Sequence, residues 1–131
     1  MKMNYKNINT YLYDKFPEFR EKISQIEEFW YPDEIPSHVL YGDVLNKFLF
    51  DLLKENKNTE LIKRVFSFYE DLANCPDTRV QNLLQITLLE YLWDDFAVLS
   101  QAHKYMNFKT RELSNELQIY FRPFVDFDNK G

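Results

Sequence analysis

The stretch LLQITLLEYLWDDF, residues 83–96, decides the fold. When its residues are placed at the roughly 100° spacing of an α-helix, one broad face is apolar and most of the remaining surface is apolar too. The broad face holds Val80, Leu83, Leu84, Thr87, Leu88 and Tyr91, and the remainder is covered by Ile86, Leu89, Leu92 and Trp93. A helix that is apolar nearly all round is typical of the centre of a domain. The sequence therefore predicts a helix here that is enclosed by other helices.

One acid, Glu90, interrupts this apolar run. An ionised carboxylate that is buried without a partner is very costly, so it needs a cation, a hydrogen-bond donor, water or a proton. If the helices before and after Pro76 run antiparallel, position 90 lies level with about position 62, beside Lys63 and Arg64. We expect Glu90 to form a structural pair with Arg64 or Lys63, or to bind a tyrosine hydroxyl or a backbone amide. Contact with a partner protein and catalysis stay open as alternatives.

The chain on both sides of this stretch also has helical periodicity. A helix that follows Pro17 is lined by a stripe with steps of three and four residues, namely Phe16, Phe19, Ile23, Ile26 and Trp30. Similar apolar faces occur within residues 44–53, 61–73 and 109–124. Only two glycines occur, so tight β-hairpins are not expected. The sequence predicts an all-α fold of about five to seven helices, as an antiparallel bundle or a short solenoid-like array.

Length and composition indicate one domain, spanning residues 1–131, with a frayed tail at 125–131. A single cysteine, Cys75, excludes an internal disulfide and fits a reducing compartment. Neither a secretion signal nor an apolar stretch of roughly 20 residues is present, so we expect a soluble cytoplasmic protein without membrane contact. The formal net charge of −5 argues against nucleic-acid binding and favours a basic partner.

Residues that carry catalysis or bind metals do not occur in the usual arrangements. His38 and His103 have no second histidine or cysteine at the spacing of metal ligands. Two glycines cannot build a phosphate-binding loop. Acid pairs such as Glu27 and Glu28 are adjacent in sequence, so on a helix they point apart. We therefore expect no cofactor, no metal and no enzymatic activity.

The strongest local feature is EEFWYPDEIP, residues 27–36, which places four acids and three aromatic residues around a proline-containing turn. Protein interfaces use aromatic rings as anchors and charges as steering groups. Acids at a helix C-terminus oppose the helix dipole, at a cost of a few tenths of a kcal/mol each, unless a basic group relieves them. The alternative is that Phe29 and Trp30 fill the core and the acids are merely solvated. The predicted partner contacts are Glu27, Glu28, Trp30, Tyr31, Asp33, Glu34, Asp94 and Asp95.

Three segments, HVLYGDVLNKFLFDLL, LIKRVFSFYEDLA and VQNLLQITLLEYLWD, together resemble small helical proteins encoded beside bacterial polymorphic toxins. These include the immunity proteins of contact-dependent growth-inhibition systems. The likeness covers about residues 38–95, where two successive helices each carry an apolar stretch that ends in a glutamate, here Glu70 and Glu90. The resemblance implies a non-enzymatic inhibitor that binds one cationic toxin domain, often a nuclease, and occludes its active site. No binding residue is carried over from it.

Two other functions stay open at this point. The chain could be a helical adaptor or scaffold domain without a toxin partner, and its surplus aromatic residues could then form a homodimer rather than leave a monomer. It could also be an enzyme that uses Glu90 with a nearby tyrosine or histidine. Tight self-association would favour the adaptor, and a deep pocket with an accessible Glu90 would favour the enzyme.

Overall fold

The structure is a computed structural model, and it describes residues 2–121. Within these residues the chain is helical, has no strand, and forms seven helices from segments that in part join end to end. In chain order the segments are α1 (Ile8–Lys15), a 3₁₀ turn (Pro17–Phe19), α2 (Arg20–Trp30), α3 (Ser37–Tyr41), a first π-helical segment (Gly42–Asn46), α4 (Lys47–Glu55), α5 (Thr59–Ala73), α6 (Thr78–Asn82), a second π-helical segment (Leu83–Leu89), α7 (Glu90–Leu92), α8 (Phe96–Tyr105), α9 (Phe108–Glu116) and α10 (Gln118–Phe121). The predicted all-α fold is confirmed. The predicted tail at residues 125–131 lies outside the described residues.

The apolar stripes of the sequence form one core. On the stripe around α2, Phe16, Phe19 and Ile23 are buried, while Ile26 and Trp30 are half-buried and pack against the core. The largest contribution from one helix comes from α5, with Leu61, Ile62, Val65, Phe66, Phe68, Tyr69, Leu72 and Ala73 buried. Each fully buried large apolar side chain contributes roughly 1.5–3 kcal/mol, so the core alone supplies the main stabilisation of the fold.

The order in which the helices pack identifies the arrangement. α4 packs against α8 and α5 packs against α9, so helices that are far apart in sequence are neighbours in space. In a solenoid each repeat contacts only the repeats next to it in the chain. Of the two predicted arrangements, the described part of the chain has the bundle.

The helix that was predicted to be central is central, but part of it is not an α-helix. Leu83–Leu89 is π-helical, and it packs against α3, the first π-helical segment, α5 and α9. Its leucines Leu83, Leu84, Leu88 and Leu89 are buried. Hydrogen bonds from i to i+5 put more residues into each turn than the 3.6 of an α-helix. Side chains after Leu83 are therefore rotated from the positions that a regular α-helix would give them, and Ile86 is 54% exposed.

The two π-helical segments meet at a side-chain amide. The Asn46 Nδ2 donates a hydrogen bond to the backbone carbonyl of Thr87 at 3.0 Å. Gly42 lies at the same contact, with ordinary helical dihedral angles of φ −62° and ψ −48°. A Cβ at Gly42 would lie 3.5 Å from the Asn46 Nδ2 and 3.5 Å from the Thr87 Cγ2, which is normal van der Waals contact. The junction therefore has room for a methyl group.

A second glutamate from the sequence pattern, Glu70, ties α5 to the start of α9. Its carboxylate accepts hydrogen bonds from the backbone amides of Lys109 (3.0 Å) and Thr110 (2.9 Å) and from the Thr110 hydroxyl (2.9 Å). Burial by itself raises the pKa of Glu70, but the donors from Thr110 and Lys109 outweigh it, so the pKa is lowered from the ordinary 4.5. Glu70 thus caps α9 from another helix, since the side chain of Asn107 makes no cap there.

The first prediction concerns this cap. Glu70→Gln should lower the free energy of unfolding at pH 7 by about 1–2 kcal/mol, because a charged cap is replaced by a neutral one. The folded-state pKa is lowered, so the contribution is complete above the unfolded pKa near 4.5 and is lost as the pH falls through the folded value. Urea unfolding between pH 7 and 3 should therefore show a smaller loss of stability on acidification for Glu70→Gln than for the wild type. Asp71→Asn, at an exposed position of the same helix, is the matched control. Equal pH dependence of wild type and Glu70→Gln would contradict the prediction.

The second prediction concerns Gly42. Gly42→Ala should raise the free energy of unfolding by about 0.4–1 kcal/mol, because it restricts the unfolded chain and meets no clash in the folded one. Gly42→Leu should lower it, because atoms beyond the Cβ reach Asn46 and Thr87. The midpoint of urea unfolding at unchanged slope measures both changes. Destabilisation by the alanine substitution would show that the two π-helical segments lie too close together for a methyl group.

Candidate partner-binding surface

Residues 27–34, here named the acid–aromatic turn, comprise the last turn of α2 and the residues that follow it. The helix ends at Trp30, and Tyr31 has the extended dihedral angles φ −53° and ψ 135°. The Tyr31–Pro32 peptide bond is cis, and the Asp33 amide donates to the Trp30 carbonyl at 2.8 Å, which closes the turn. The rings of Phe29 and Tyr31 are 86% and 82% exposed. The turn thus presents two large aromatic side chains to solvent.

The acid–aromatic turn forms one wall of a groove of about 1190 Å³. The opposite wall comes from α1 and the residues before it, including Tyr5, Asn9 and Tyr13. The floor is apolar and buried, and it consists of Ile23, Ile35 and Leu40. A concave surface with an apolar floor and a few polar groups on its walls is the usual form of a binding site.

Two hydrogen bonds hold the walls of the groove in place. The Tyr41 hydroxyl, fully buried in α3, donates to the Ile8 carbonyl at the start of α1. Burial raises the pKa of Tyr41 well above its ordinary value, so this hydroxyl keeps its proton. The Asn9 Nδ2 donates to the carbonyl of Ile35 at 3.1 Å and so joins α1 to the chain that follows the turn. The groove is therefore built by contacts between segments distant in sequence.

A smaller cavity of about 410 Å³ adjoins the groove and shares Tyr5 and His38 with it. Its remaining lining comes from α6 and the second π-helical segment: Arg79, Asn82, Leu83, Ile86 and Thr87. The exposed Ile86 lies here because the π-helical winding turns it away from the core. The surface between α1 and α3 thus continues from an acidic groove to a cavity that contains an arginine.

The groove is acidic because its acids are not neutralised. Within residues 2–121, the carboxylates of the turn take part in no salt bridge and no side-chain hydrogen bond; they are Glu27, Glu28, Asp33 and Glu34. All are exposed. The basic side chains among the described residues that line the groove are Lys6 and His38. The surface therefore carries negative charge beside exposed aromatic rings.

The structure places most of the residues predicted from the turn on this surface. Glu27, Tyr31, Asp33 and Glu34 line the groove, and Glu28 is exposed beside it. Trp30 is half-buried and packs against the core, so it supports the turn more than it offers a contact. Sequence reasoning missed Phe29, which it assigned to the core alternative. The apolar stripe of α2 could have shown that Phe29 is exposed, because the stripe includes Ile26 and Trp30 but not position 29.

The acids after the central helix do not join this surface. Asp95 is half-buried, and its Oδ1 accepts a hydrogen bond from the Val98 amide at 3.1 Å. It is the N-cap of α8, a structural role that occupies one of its oxygens. Asp94 is exposed, but neither residue lines the groove. Asp94 and Asp95 are therefore separate from the contacts predicted around residues 27–34.

The predicted pair between Glu90 and Arg64 or Lys63 is wrong. The Arg64 guanidinium forms a salt bridge with Glu18 and lies 5.3 Å from the centre of the Phe16 ring, on the side of α5 that faces the end of α1. Lys63 is exposed. Glu90 is half-buried, and its carboxylate has no salt bridge or hydrogen bond within the described residues. The prediction assumed regular α-helices level about Pro76, whereas the π-helical winding before Glu90 rotates it away from that position. Glu90 lines neither of the two cavities.

Among residues 2–121, no group of three or more histidine, cysteine, aspartate or glutamate side chains is placed to hold a metal ion. In the same range, none of the helices is both long enough and apolar enough to traverse a bilayer. The arrangement of the site is that of a surface for binding, with carboxylates and aromatic rings around an apolar floor.

A family model described as "Domain of unknown function (DUF7674)" matches residues 9–121. The chain belongs to the DUF7674 family. No curated protein and no solved structure matches the chain. The matched range contains the acid–aromatic turn, the floor of the groove and both π-helical segments, so these features lie within the DUF7674 domain.

One wall of the groove in this DUF7674 protein depends on Asp77. Its Oδ1 caps α6 by accepting from the Arg79 amide at 3.0 Å, and its Oδ2 accepts from the Tyr5 amide at 2.9 Å. The Arg79 guanidinium pairs with Asp77 and lies 5.4 Å from the centre of the Tyr5 ring. The hydrogen bond from Arg79, followed by that from the Tyr5 amide, lowers the pKa of Asp77 from 3.8 to about 2. Asp77 thus fixes the segment before α1, which borders both cavities.

The third prediction is that Asp77→Ala frees this segment. Hydrogen exchange at the Tyr5 amide should become roughly tenfold faster or more at neutral pH, because a charge-assisted hydrogen bond is lost. Asp95→Ala removes the N-cap of α8 instead and is the matched control, for which exchange at Tyr5 should not change. Equal protection of the Tyr5 amide in the wild type and in Asp77→Ala would contradict the assignment.

Proposed function

We propose that this DUF7674 protein is a non-enzymatic, immunity-type inhibitor that binds a cationic bacterial toxin domain and covers its active site. The observation that carries the proposal is the acid–aromatic turn. Within residues 2–121 its four carboxylates are unpaired, and the same turn carries Phe29 and Tyr31, which are more than four-fifths exposed. The resemblance of residues 38–95 to helical immunity proteins supports the same function.

The energetics of the turn favour a basic partner. α2 carries Glu27 and Glu28 near its C-terminal end and has no basic residue in its last turn. Acids in that position are disfavoured by the helix dipole by about 0.3–1 kcal/mol each, and they also repel each other and the nearby Asp33 and Glu34. When a cationic surface binds, it offsets both the unfavourable interaction with the helix dipole and the repulsion among the acids. The free protein thus holds electrostatic free energy that is released on association with a base-rich partner.

The aromatic rings supply the contact area. Large, rigid aromatic side chains at the centre of an interface are the residues that most often dominate binding energy, provided that the surrounding contacts exclude water. Tyr31 lines the same groove as Glu27, Asp33 and Glu34, so a partner that neutralises these charges also covers its ring. The carboxylates then act mainly on the rate and specificity of association, and the rings on the lifetime of the complex.

The fourth prediction tests this function in cells. Co-expression with the toxic domain encoded beside its gene should restore growth to cells that the toxin otherwise kills. Neutralising the turn with Glu27→Gln, Glu28→Gln, Asp33→Asn and Glu34→Gln should abolish protection and slow association at low salt by at least about tenfold. The matched control removes as many exposed acids elsewhere, with Asp14→Asn, Asp43→Asn, Glu60→Gln and Asp71→Asn, and should still protect.

Three results would contradict the proposal or its assignment to the turn. Growth that stays inhibited beside the wild-type protein, in spite of measurable binding to the toxic domain, would favour the helical adaptor without a toxin-neutralising role. If the variant with the neutralised turn protects as strongly as the control variant, the interface lies on another surface. An association rate that does not respond to added salt would likewise exclude the turn as the interface.

A further inference from the structure

We infer that the acid–aromatic turn is an arginine-recognition site. An arginine side chain of the partner lies against the Tyr31 ring and pairs with carboxylates among Glu27, Asp33 and Glu34. This inference rests on the proposed function, because it names the chemistry by which the turn recognises a cationic partner.

The tyrosines of the groove carry the first evidence. Tyr13 has the Arg20 guanidinium over its ring at 4.8 Å from the ring centre, and Tyr5 has that of Arg79 at 5.4 Å. Tyr31 lines the same groove and is 82% exposed, and within residues 2–121 its side chain has no arginine, ring or hydrogen-bond partner. The chain thus uses arginine–tyrosine stacking on the α1 wall and leaves the ring beside the acids open.

The arginines of the chain give the second evidence. Each described arginine is held by acceptors of its own molecule. Arg20 donates to the Tyr13 carbonyl, Arg64 pairs with Glu18, Arg79 pairs with Asp77, and Arg111 donates to the carbonyls of His103 and Met106. The acids of the turn have no such partner. The four described arginines are therefore engaged within the chain, and the unpaired acids of the turn favour an arginine supplied by a partner.

The chemistry of the groove favours an arginine side chain over a lysine. The groove, of about 1190 Å³, is lined by carboxylates and aromatic rings as well as by apolar side chains. A guanidinium has five donor hydrogens in a plane, enough to serve two carboxylates and a further acceptor while its face covers a ring. A lysine ammonium has three donors and no face to stack.

The experiment uses the full chain in NMR titrations with three acetylated, amidated tetrapeptides. Each has two identical residues between two glycines, and these residues are arginine, lysine or the uncharged arginine isostere citrulline. The arginine peptide should bind about threefold more tightly than the lysine peptide, with shifts centred on the amides of residues 27–34. The citrulline peptide should produce no saturable shifts.

Substitutions separate the ring from the charges. Tyr31→Leu should remove the preference for arginine while leaving lysine binding unchanged, and Phe108→Leu, at a ring that is 72% exposed elsewhere, should preserve the preference. Glu27→Gln with Asp33→Asn and Glu34→Gln should abolish binding of both charged peptides. The matched control, Asp43→Asn with Glu60→Gln and Asp71→Asn, removes the same number of charges from other surfaces. It should leave binding of both charged peptides intact.

Several outcomes overturn the inference. Equal affinity for the arginine and lysine peptides, an arginine preference that survives Tyr31→Leu, saturable binding of citrulline, or shifts mapped away from the turn would each do so. The inference would also be rejected if the free protein dimerises and Tyr31→Leu abolishes that dimerisation, because a second copy of the chain would then be the occupant. Failure of the proposed function looks different. If the proposed function fails, arginine-selective binding persists although no toxin is neutralised. If only this inference fails, the protein protects against the toxin but does not select arginine.

Discussion

The contact between the two π-helical segments organises this domain. Asn46 binds the Thr87 carbonyl, and Gly42 lies at the same contact, facing the side chains of Asn46 and Thr87. This junction joins the helix of α3 and α4 to the central helix, whose leucines reach helices from both halves of the chain. Because α1 packs on α3, the position of the groove follows from the junction. The wider winding of the central helix also brings Ile86 to the surface beside that groove.

Two sets of charged side chains have structural roles in this molecule. The described arginines are engaged internally, where Arg64 and Arg79 join segments that are distant in sequence. Acids with structural roles, such as Glu70 and Asp77, receive backbone amides from other parts of the chain. The acids of the turn at residues 27–34 belong to neither set. The negative net charge of the protein is thus concentrated, in part, on a surface that also has exposed aromatic rings, which is a combination suited to recognition rather than to packing.

The two glutamates that end apolar stretches show why the sequence pattern could not assign their roles. Glu70 and Glu90 occupy similar positions in successive helices, but Glu70 caps α9 and Glu90 is half-buried without an ionic partner in the described region. The difference arises because α9, which comes about forty residues later in the chain, begins next to Glu70. Nothing local to either glutamate specifies that neighbour.

The sequence by itself determined the all-α class, the stripe from Phe16 to Trp30, the central position of residues 83–92 and the turn that carries the acids. These features follow from local periodicity, proline positions and composition, which need no knowledge of distant contacts. Only the tertiary structure decided that Phe29 faces solvent and that Arg64 pairs with Glu18. It also decided that Asp95 caps a helix and that the turn borders a groove. The physical reason is that π-helical winding and contacts between segments distant in sequence set the direction of each side chain. A helical wheel of fixed pitch contains neither.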